Sequence, residues 1–277
     1  MDSLGSLAAF VWPGMQVLVF TFALVTAIEL LLPREKHSFA GRLPGLVFWA
    51  IWSPIATIAA GGLVACRTWL GVDPLIILPL TMSWTGVLAI VVAPLAAAFA
   101  GDFFFYWCHR AQHRWLWRYH AVHHSVRELN SINSFHHVTE PVIQSLLIGI
   151  PCTLIVSDTV ATVPVIAMLI HLQSAYIHSS TRLHWTPLRW LLIDNHFHRI
   201  HHSVEPRHFD RNFGAVTPLW DRLFDTAHFP APDEWPETGV AGIDQPRTLR
   251  EWFDLPWRYA RAHAVPAAPD AEPSRNS

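Results

Sequence analysis

Three long apolar stretches precede residue 101. Phe10 to Leu32 is a 23-residue run whose only charge is Glu29, Pro44 to Ala65 gives 22 residues without a charge, and Pro74 to Ala100 gives 27, with Pro79 and Pro94 placed to kink it or trim its ends. A bilayer core of about 30 Å takes about 20 apolar residues as helix, so each run predicts a membrane span. The first has no basic n-region and no small-residue cleavage site, and reads as a retained helix rather than a signal peptide. A fourth apolar region, Pro141 to Ile177, is divided by Ser157, Asp158 and Thr159 into two pieces of under 20 residues, the pattern of a helical hairpin that either spans or re-enters. Beyond residue 228 the chain turns to Pro, Ala, Asp and Glu, with a short amphipathic helix expected near Arg247 to Arg261 and a disordered tail from Ala264 to Ser277. The expected fold is an all-α integral membrane protein. Transmembrane helices occupy 1–100, a second region covers 101–228 with the hairpin at 141–177, and a C-terminal extension fills 229–277.

Composition narrows the class. Of 277 residues, 52% are hydrophobic and 14% charged, against about 25% charged in ordinary soluble domains. Net charge is −2 and there is no basic tract, so a nucleic-acid partner has no electrostatic footprint. Cys66, Cys108 and Cys152 lie far apart without a CxxC pair, and read as buried reduced thiols. Charge also orients the spans. Pro33 to Leu43 carries Arg34, Lys36 and Arg42, Cys66 to Asp73 carries Arg67 alone, and residues 1–9 carry neither Lys nor Arg. The positive-inside rule then sets the amino terminus outside and Pro33–Leu43 in the cytoplasm; three passes deliver the chain to the cytoplasmic face at residue 101, and the hairpin returns it to the side it left.

Histidine is the residue type out of line: 15 of the 18 fall between His109 and His208. They form an HxxxH motif at His109 and His113, an HxxHH motif at His120, His123 and His124, and a second HxxHH at His198, His201 and His202. Residues three and four apart share a helix face, so each motif aims its imidazoles one way. One straight helix from His109 to His124 would separate its ends by about 22 Å, too far for ligands of a two-metal site with ions about 3.5–4 Å apart. An interruption is therefore expected between Arg114 and Tyr119, although no Pro or Gly marks it. Eight histidines exceed the four ligands of a structural zinc and suit two ions. Imidazole alone does not choose among Zn, Cu, Fe and Ni. No HExxH is present, and the Glu-x-x-His pairs of soluble di-iron bundles are missing. Neutral ligands call for carboxylates on the outer ring nitrogens, and Asp102, Glu140, Asp194 and Asp221 are the acids beside the histidine segments, each with a rival role as a helix cap or arginine partner.

Taken together, these residues resemble the membrane-bound fatty acid hydroxylase/sterol desaturase superfamily, whose three-box pattern matches the motifs in order. Asp102-Phe-Phe-Phe-Tyr106-Trp-Cys-His109-Arg110 resembles the family's DxxxYWxHR entry to box one, and Trp117-Arg-Tyr-His120 leads into box two. His137-Val-Thr-Glu140 resembles its HPxE segment without the proline. Asn212-Phe-Gly214 and Trp220-Asp-Arg-Leu-Phe-Asp-Thr226 resemble the NYG and WDxLFGT closing signatures, with Asp225 where Gly is usual. The resemblance implies a cytosolic helical cap holding a dimetal site, and a lone histidine ligand ahead of the last box. His178 is the choice for that ligand, with His184 and His171 as competitors. His136 and His137 are candidate additional ligands, as is His184, while His196, His208 and His228 lie outside the motifs.

The activity implied is that of a di-iron oxygenase, which uses O2 and two electrons to hydroxylate or desaturate a C–H bond of a lipid such as a sterol, fatty acyl chain or ether lipid. Zinc could replace the two iron ions in purified protein. No Rossmann fingerprint, flavin motif, cysteine cluster or haem signature is visible, so an external donor, a reductase with a ferredoxin or cytochrome, is expected. Two other chemistries use the same imidazoles: a zinc-dependent membrane hydrolase and a metal transporter with histidines along its spans.

Overall fold

The computed structural model describes residues 3–78, 93–157, 163–184 and 188–262. Its elements are almost all helical. Helix α1 (Ser3–Leu31) and helix α2 (Phe39–Trp69) are the two described helices long and apolar enough to cross a membrane. Helix α1 begins ahead of the apolar run that predicts it and ends one residue short of it, and α2 extends past its run at both ends. Large aliphatic and aromatic side chains stand exposed on each, including Val19, Phe20 and Leu30 on α1 and Ile51, Ile55 and Ile58 on α2, the surface a lipid-facing helix presents. Ser38 caps α2 by accepting a hydrogen bond from the Gly41 N–H.

Most of the third expected span, residues 79–92, lies outside the described residues. On either side of it are a short strand β1 (Ile76–Leu78) and helix α3 (Ala93–Trp115). The hairpin region begins with α5 (Glu140–Gln144), a π-helical turn (Ser145–Gly149) and α6 (Ile150–Thr153), then a strand β2 (Ile155–Ser157) that pairs in parallel with β1, Ile76 opposite Ile155. The strand pair was not anticipated from the sequence. The second arm is helix α7 (Val163–His178); Asp158 and Thr159 of the polar divider lie outside the described residues. Between α3 and α5 sits α4 (Trp117–His124), and after α7 come α8 (Asn195–His201), α9 (Leu219–Leu223) and α10 (Leu249–Ala262). Helix α10 falls where the amphipathic pattern places it, and the tail beyond Ala262 is outside the described residues.

The core is shared between the long helices and the histidine-bearing segments. Leu18, Phe22 and Val25 of α1, Phe48 and Trp49 of α2, Ala175 and Ile177 of α7 and Trp252 and Leu255 of α10 form one buried cluster. Glu29, the only charge in the first apolar run, is fully buried and paired. Arg42 donates to its Oε2 at 2.7 Å, Ser131 Oγ at 3.0 Å, and the Ser180 N–H reaches its Oε1 at 2.7 Å. One carboxylate thus ties α1, α2, the loop after α4 and the chain leaving α7, which brings the end of α7 against the histidine segments.

Candidate metal centre

The expected break between α3 and α4 falls on Leu116, with φ −121° and ψ 16°. Leu116 N–H still bonds the Gln112 carbonyl, and Tyr119 and His120 N–H both turn back to the Leu116 carbonyl, so the helix restarts in a new direction after one residue. Without Gly or Pro the turn is driven from outside, by the packing of α4 on α10 and of its buried face, Ala121 and Val122, into the core.

This turn, α7 and α8 bring nine imidazoles together in two groups. His109, His113, His120, His124 and His201 have ligand nitrogens within 4.8 Å of one another, and so do His123, His178, His198 and His202. Each group draws on both sides of the helix break or on three separate elements. Within them, Nε2 atoms face Nε2 atoms: His109 to His120 at 3.0 Å, His113 to His124 at 3.1 Å, His123 to His178 at 3.3 Å, His178 to His198 at 3.1 Å and His198 to His202 at 3.2 Å.

The outer nitrogens decide what these contacts are. His109 Nδ1 lies 2.7 Å from the Phe213 carbonyl, His201 Nδ1 2.7 Å from that of Arg211, His178 Nδ1 2.7 Å from that of Ser174, and His123 Nδ1 3.3 Å from that of Phe135. A carbonyl only accepts, so Nδ1 carries the hydrogen in these rings and Nε2 is a bare lone pair when the ring is neutral. His113 Nδ1 donates likewise to Asp210 Oδ1 at 3.1 Å. Burial, reinforced by the neighbouring rings, holds His109, His120, His123, His124, His198, His201 and His202 well below their ordinary value of 6.5, so they are neutral near pH 7. Lone pairs of His123 and His178 therefore point at each other, and His201 Nε2 is buried with no partner among the described residues. Acceptors converging on acceptors in a dry pocket are stable around a cation. Metal–nitrogen bonds of about 2.0–2.1 Å put two nitrogens of one ion about 3 Å apart, the spacing seen here. The donor set fits two ions, one per group.

The structure sorts the remaining expected site residues. His184 lies apart, its ring near His196 and its Nδ1 3.4 Å from Asn195 Oδ1. His137 turns away too, with Nδ1 3.0 Å from Thr139 Oγ1 and its ring beside Tyr119 and Trp257. His136, its neighbour, stacks on His123 with ring centres 3.9 Å apart and planes 7° apart, and its Nδ1 is 3.7 Å from Glu140 Oε1. Among the described residues, none of the four expected acids is hydrogen-bonded to one of the nine rings. Asp102 accepts from the N–H groups of Ala215, Val216 and Thr217, and Asp221 from those of Phe213 and Gly214. Asp194 caps α8 through Phe197 N–H, and Glu140 accepts from Gln112 and Gln144. Asp221 thus holds the backbone of Phe213, whose carbonyl takes His109 Nδ1, and Asp102 holds the residues that follow, because a loop with unpaired N–H groups offers a buried carboxylate more donors than one ring nitrogen does; Glu140 is taken up by side-chain amides instead. Asp210 is the acid that sequence reading passed over; its signal was its place two residues before Asn212-Phe-Gly214. His208 and His228 both bond Glu234, a clasp on the chain after α9.

Residues 94–226 match the family model described as fatty acid hydroxylase. This segment is a fatty acid hydroxylase domain. Relatives of the hydroxylase domain include alkylglycerol monooxygenase of Danio rerio, 30% identical over 47% of this chain and 29% of that protein. A very-long-chain aldehyde decarbonylase of Oryza sativa subsp. indica is 31% identical over 52% of this chain and 24% of its own length. The ornithine lipid hydroxylase OlsE of Rhizobium tropici is 32% identical over 51% of this chain and 43% of its own. The matched region spans less than half the length of each of these relatives. No solved structure matches. The fold explains one departure from the closing signature: Asp225 has φ +57°, a left-handed conformation that favours the Gly usual there and that Asp tolerates.

Proposed function

We propose that this chain is a membrane-bound oxygenase that holds two iron ions between its histidine groups and uses O2 and two electrons to hydroxylate or desaturate a C–H bond of a lipid. The observation that carries the reading is the convergence of nine buried imidazoles in two groups, five of which, His109, His113, His123, His178 and His201, have Nδ1–H engaged outward and so turn a bare Nε2 inward. His109, His113, His120, His124 and His201 would hold one ion, and His123, His178, His198 and His202 the other. Iron bound there supplies O2 activation and the redox step. The protein's share is to fix the ring tautomers through the carbonyls of Phe213, Arg211, Phe135 and Ser174, and to keep bulk water out by burying the rings. Lipid chemistry in the named relatives supports a lipid substrate, and α1 and α2 support a membrane location. By the charge of the loops, the histidine groups face the cytoplasm in a multi-pass arrangement, where an external reductase with a ferredoxin or cytochrome can reach them.

The test combines metal analysis with lipid mass spectrometry. Two ions per chain, iron in iron-replete cells, and an O2-dependent lipid product that gains one oxygen or loses two hydrogens are expected. His123→Ala and His201→Ala should each lose turnover and lower metal content; full activity in both variants, or full activity without O2 and reductant, overturns the reading, the latter in favour of a zinc hydrolase. Metal flux into liposomes would instead mark a transporter, although α1 and α2 carry no histidine.

A further inference from the structure

A cavity of about 620 Å³ lies between the amino-terminal end of α2 and the segment that enters α10, within the range of about 300–1,000 Å³ usual for ligand pockets. Its walls and its rim differ in chemistry. Leu43, Val47, Phe48, Phe135 and Trp252 give it apolar sides, while Arg127, Glu128, Asp244 and Arg247 are among its lining groups. The backbone at the rim is fixed, because Gln245 Oε1 accepts from the Arg127 and Glu128 N–H groups at 2.8 and 3.3 Å.

Position gives these chemistries a direction. Leu43 and Val47 are exposed on α2 and belong to the same apolar surface as Ile51, Ile55 and Ile58 further along the span. On the other wall stands Leu249, the first of a row with Phe253 and Trp257 that recurs at every fourth residue of α10 and leads away from the cavity, all three exposed, with Arg250, Arg258 and Arg261 on the same helix. An exposed apolar stripe with basic flanks suits the headgroup layer of a bilayer. The lipid-facing surface of α2 and this stripe meet at the cavity. Its inner end lies one residue from the histidines: Trp252 Nε1 donates to the His136 carbonyl at 2.7 Å, the Phe48 ring is 6.1 Å from that of His136, and the Phe135 carbonyl accepts from His123.

We infer that this cavity takes a zwitterionic lipid from the bilayer, with the anionic part of the head at Arg127 and Arg247, its cationic part at Glu128 and Asp244, and a hydrocarbon chain running past Val47 and Phe48 toward His136. That the bound lipid is the one oxidised rests on the function proposed above; that the cavity binds it does not.

The experiment reads binding without turnover. Full-length protein in phosphatidylcholine nanodiscs is irradiated with a trace of phosphatidylcholine bearing a diazirine at the end of one acyl chain, and adducts are mapped by mass spectrometry. Adducts should be enriched at least about fivefold in 43–48, 135–136 and 249–252 over the exposed face of α1. Val47→Trp, which fills the cavity from an exposed helix position, and Leu249→Trp, at its mouth, should each remove that enrichment and leave the α1 adducts unchanged. Unlabelled phosphatidylcholine should compete better than phosphatidylglycerol, and Arg247→Glu should erase the difference. Adducts no denser than on α1, or unchanged in both tryptophan variants, overturn the assignment, and equal competition by the two lipids overturns the head-group part. Cavity adducts in a protein that oxidises no lipid uphold the binding site while refuting the oxygenase. Oxidation with adducts only elsewhere does the reverse.

Discussion

Among the described residues, His113 is the one ring of the nine with a carboxylate hydrogen-bonded to its outer nitrogen, and that carboxylate, Asp210, is largely exposed. The charge strengthens the ring as a donor to a cation, and a partner of this kind typically changes metal affinity by about 10–100-fold. Asp210→Asn is the informative change, since Asp210 sits at φ +56°, which Asn tolerates and Ala does not. It keeps an acceptor and removes the charge, so affinity measured by competition with a chelator should fall about tenfold; an unchanged affinity would show that the charge is irrelevant to the centre. Asp102 acts differently. Its two oxygens take three backbone N–H groups of 215–217, so Asp102→Asn turns an amide NH2 toward N–H donors. A loss of about 1–3 kcal/mol of stability is expected, read as a lower unfolding temperature, with metal stoichiometry unchanged in protein kept cold. Metal loss without a drop in unfolding temperature would mean that Asp102 serves the ions and not the loop.

Among the elements, α2 makes the sharpest contrast between neighbouring surfaces. Gly45 lies against the loop after α4, where a Cβ would collide with the Ile132 carbonyl, and Trp49 Nε1 donates to that same carbonyl at 3.2 Å. Gly62, on the same helix, has nothing within 4 Å of where its Cβ would be. Gly45→Ala should therefore destabilise by about 1–3 kcal/mol through overpacking, whereas Gly62→Ala should be neutral or stabilise by up to about 1 kcal/mol through helix propensity. Equal effects on unfolding temperature would remove the close approach of α2 to this loop. The helices themselves were legible because apolar length and histidine spacing are local properties of the chain. The turn at Leu116 was legible only as a geometric necessity: no residue there breaks a helix, and the bend comes from packing on α10, far along the sequence. The parallel pairing of Ile76–Leu78 with Ile155–Ser157 had no local signal, since three-residue strands lack a period to detect.

For the molecule as a whole, the same distinction separates what the motifs announced from what they did not. The three histidine boxes and His178 stand in the two groups, and helix spacing accounts for the pairs four apart that stay together, His109 with His113, His120 with His124 and His198 with His202; it did not announce that His123 and His201 leave their own boxes for the opposite group. The cap made by Asp194 is the rival role its sequence position offered, whereas the roles of Asp102, Glu140 and Asp221 were not legible, since only the fold reveals which backbone N–H groups and side-chain amides surround each carboxylate. The buried rings also set how the protein responds to acid. In the unfolded chain a histidine titrates near its ordinary value of 6.5, and in the fold burial lowers His109, His120, His123, His124, His198, His201 and His202 well below it. Above 6.5 both states are neutral and the metal-free fold keeps its full stability. As pH falls below 6.5 the unfolded chain takes up protons first, so stability is lost at up to about 1.4 kcal/mol per pH unit for each such ring. Chelated protein should accordingly unfold at a markedly lower temperature at pH 5.5 than at 7.5. If the two groups hold metal as proposed, saturating zinc should raise the unfolding temperature at pH 7.5, and should raise it less at 5.5, where protons compete for the same lone pairs. Identical unfolding temperatures at the two pH values in the metal-free protein would mean that these rings are not buried as neutral donors, and the centre described here would not exist.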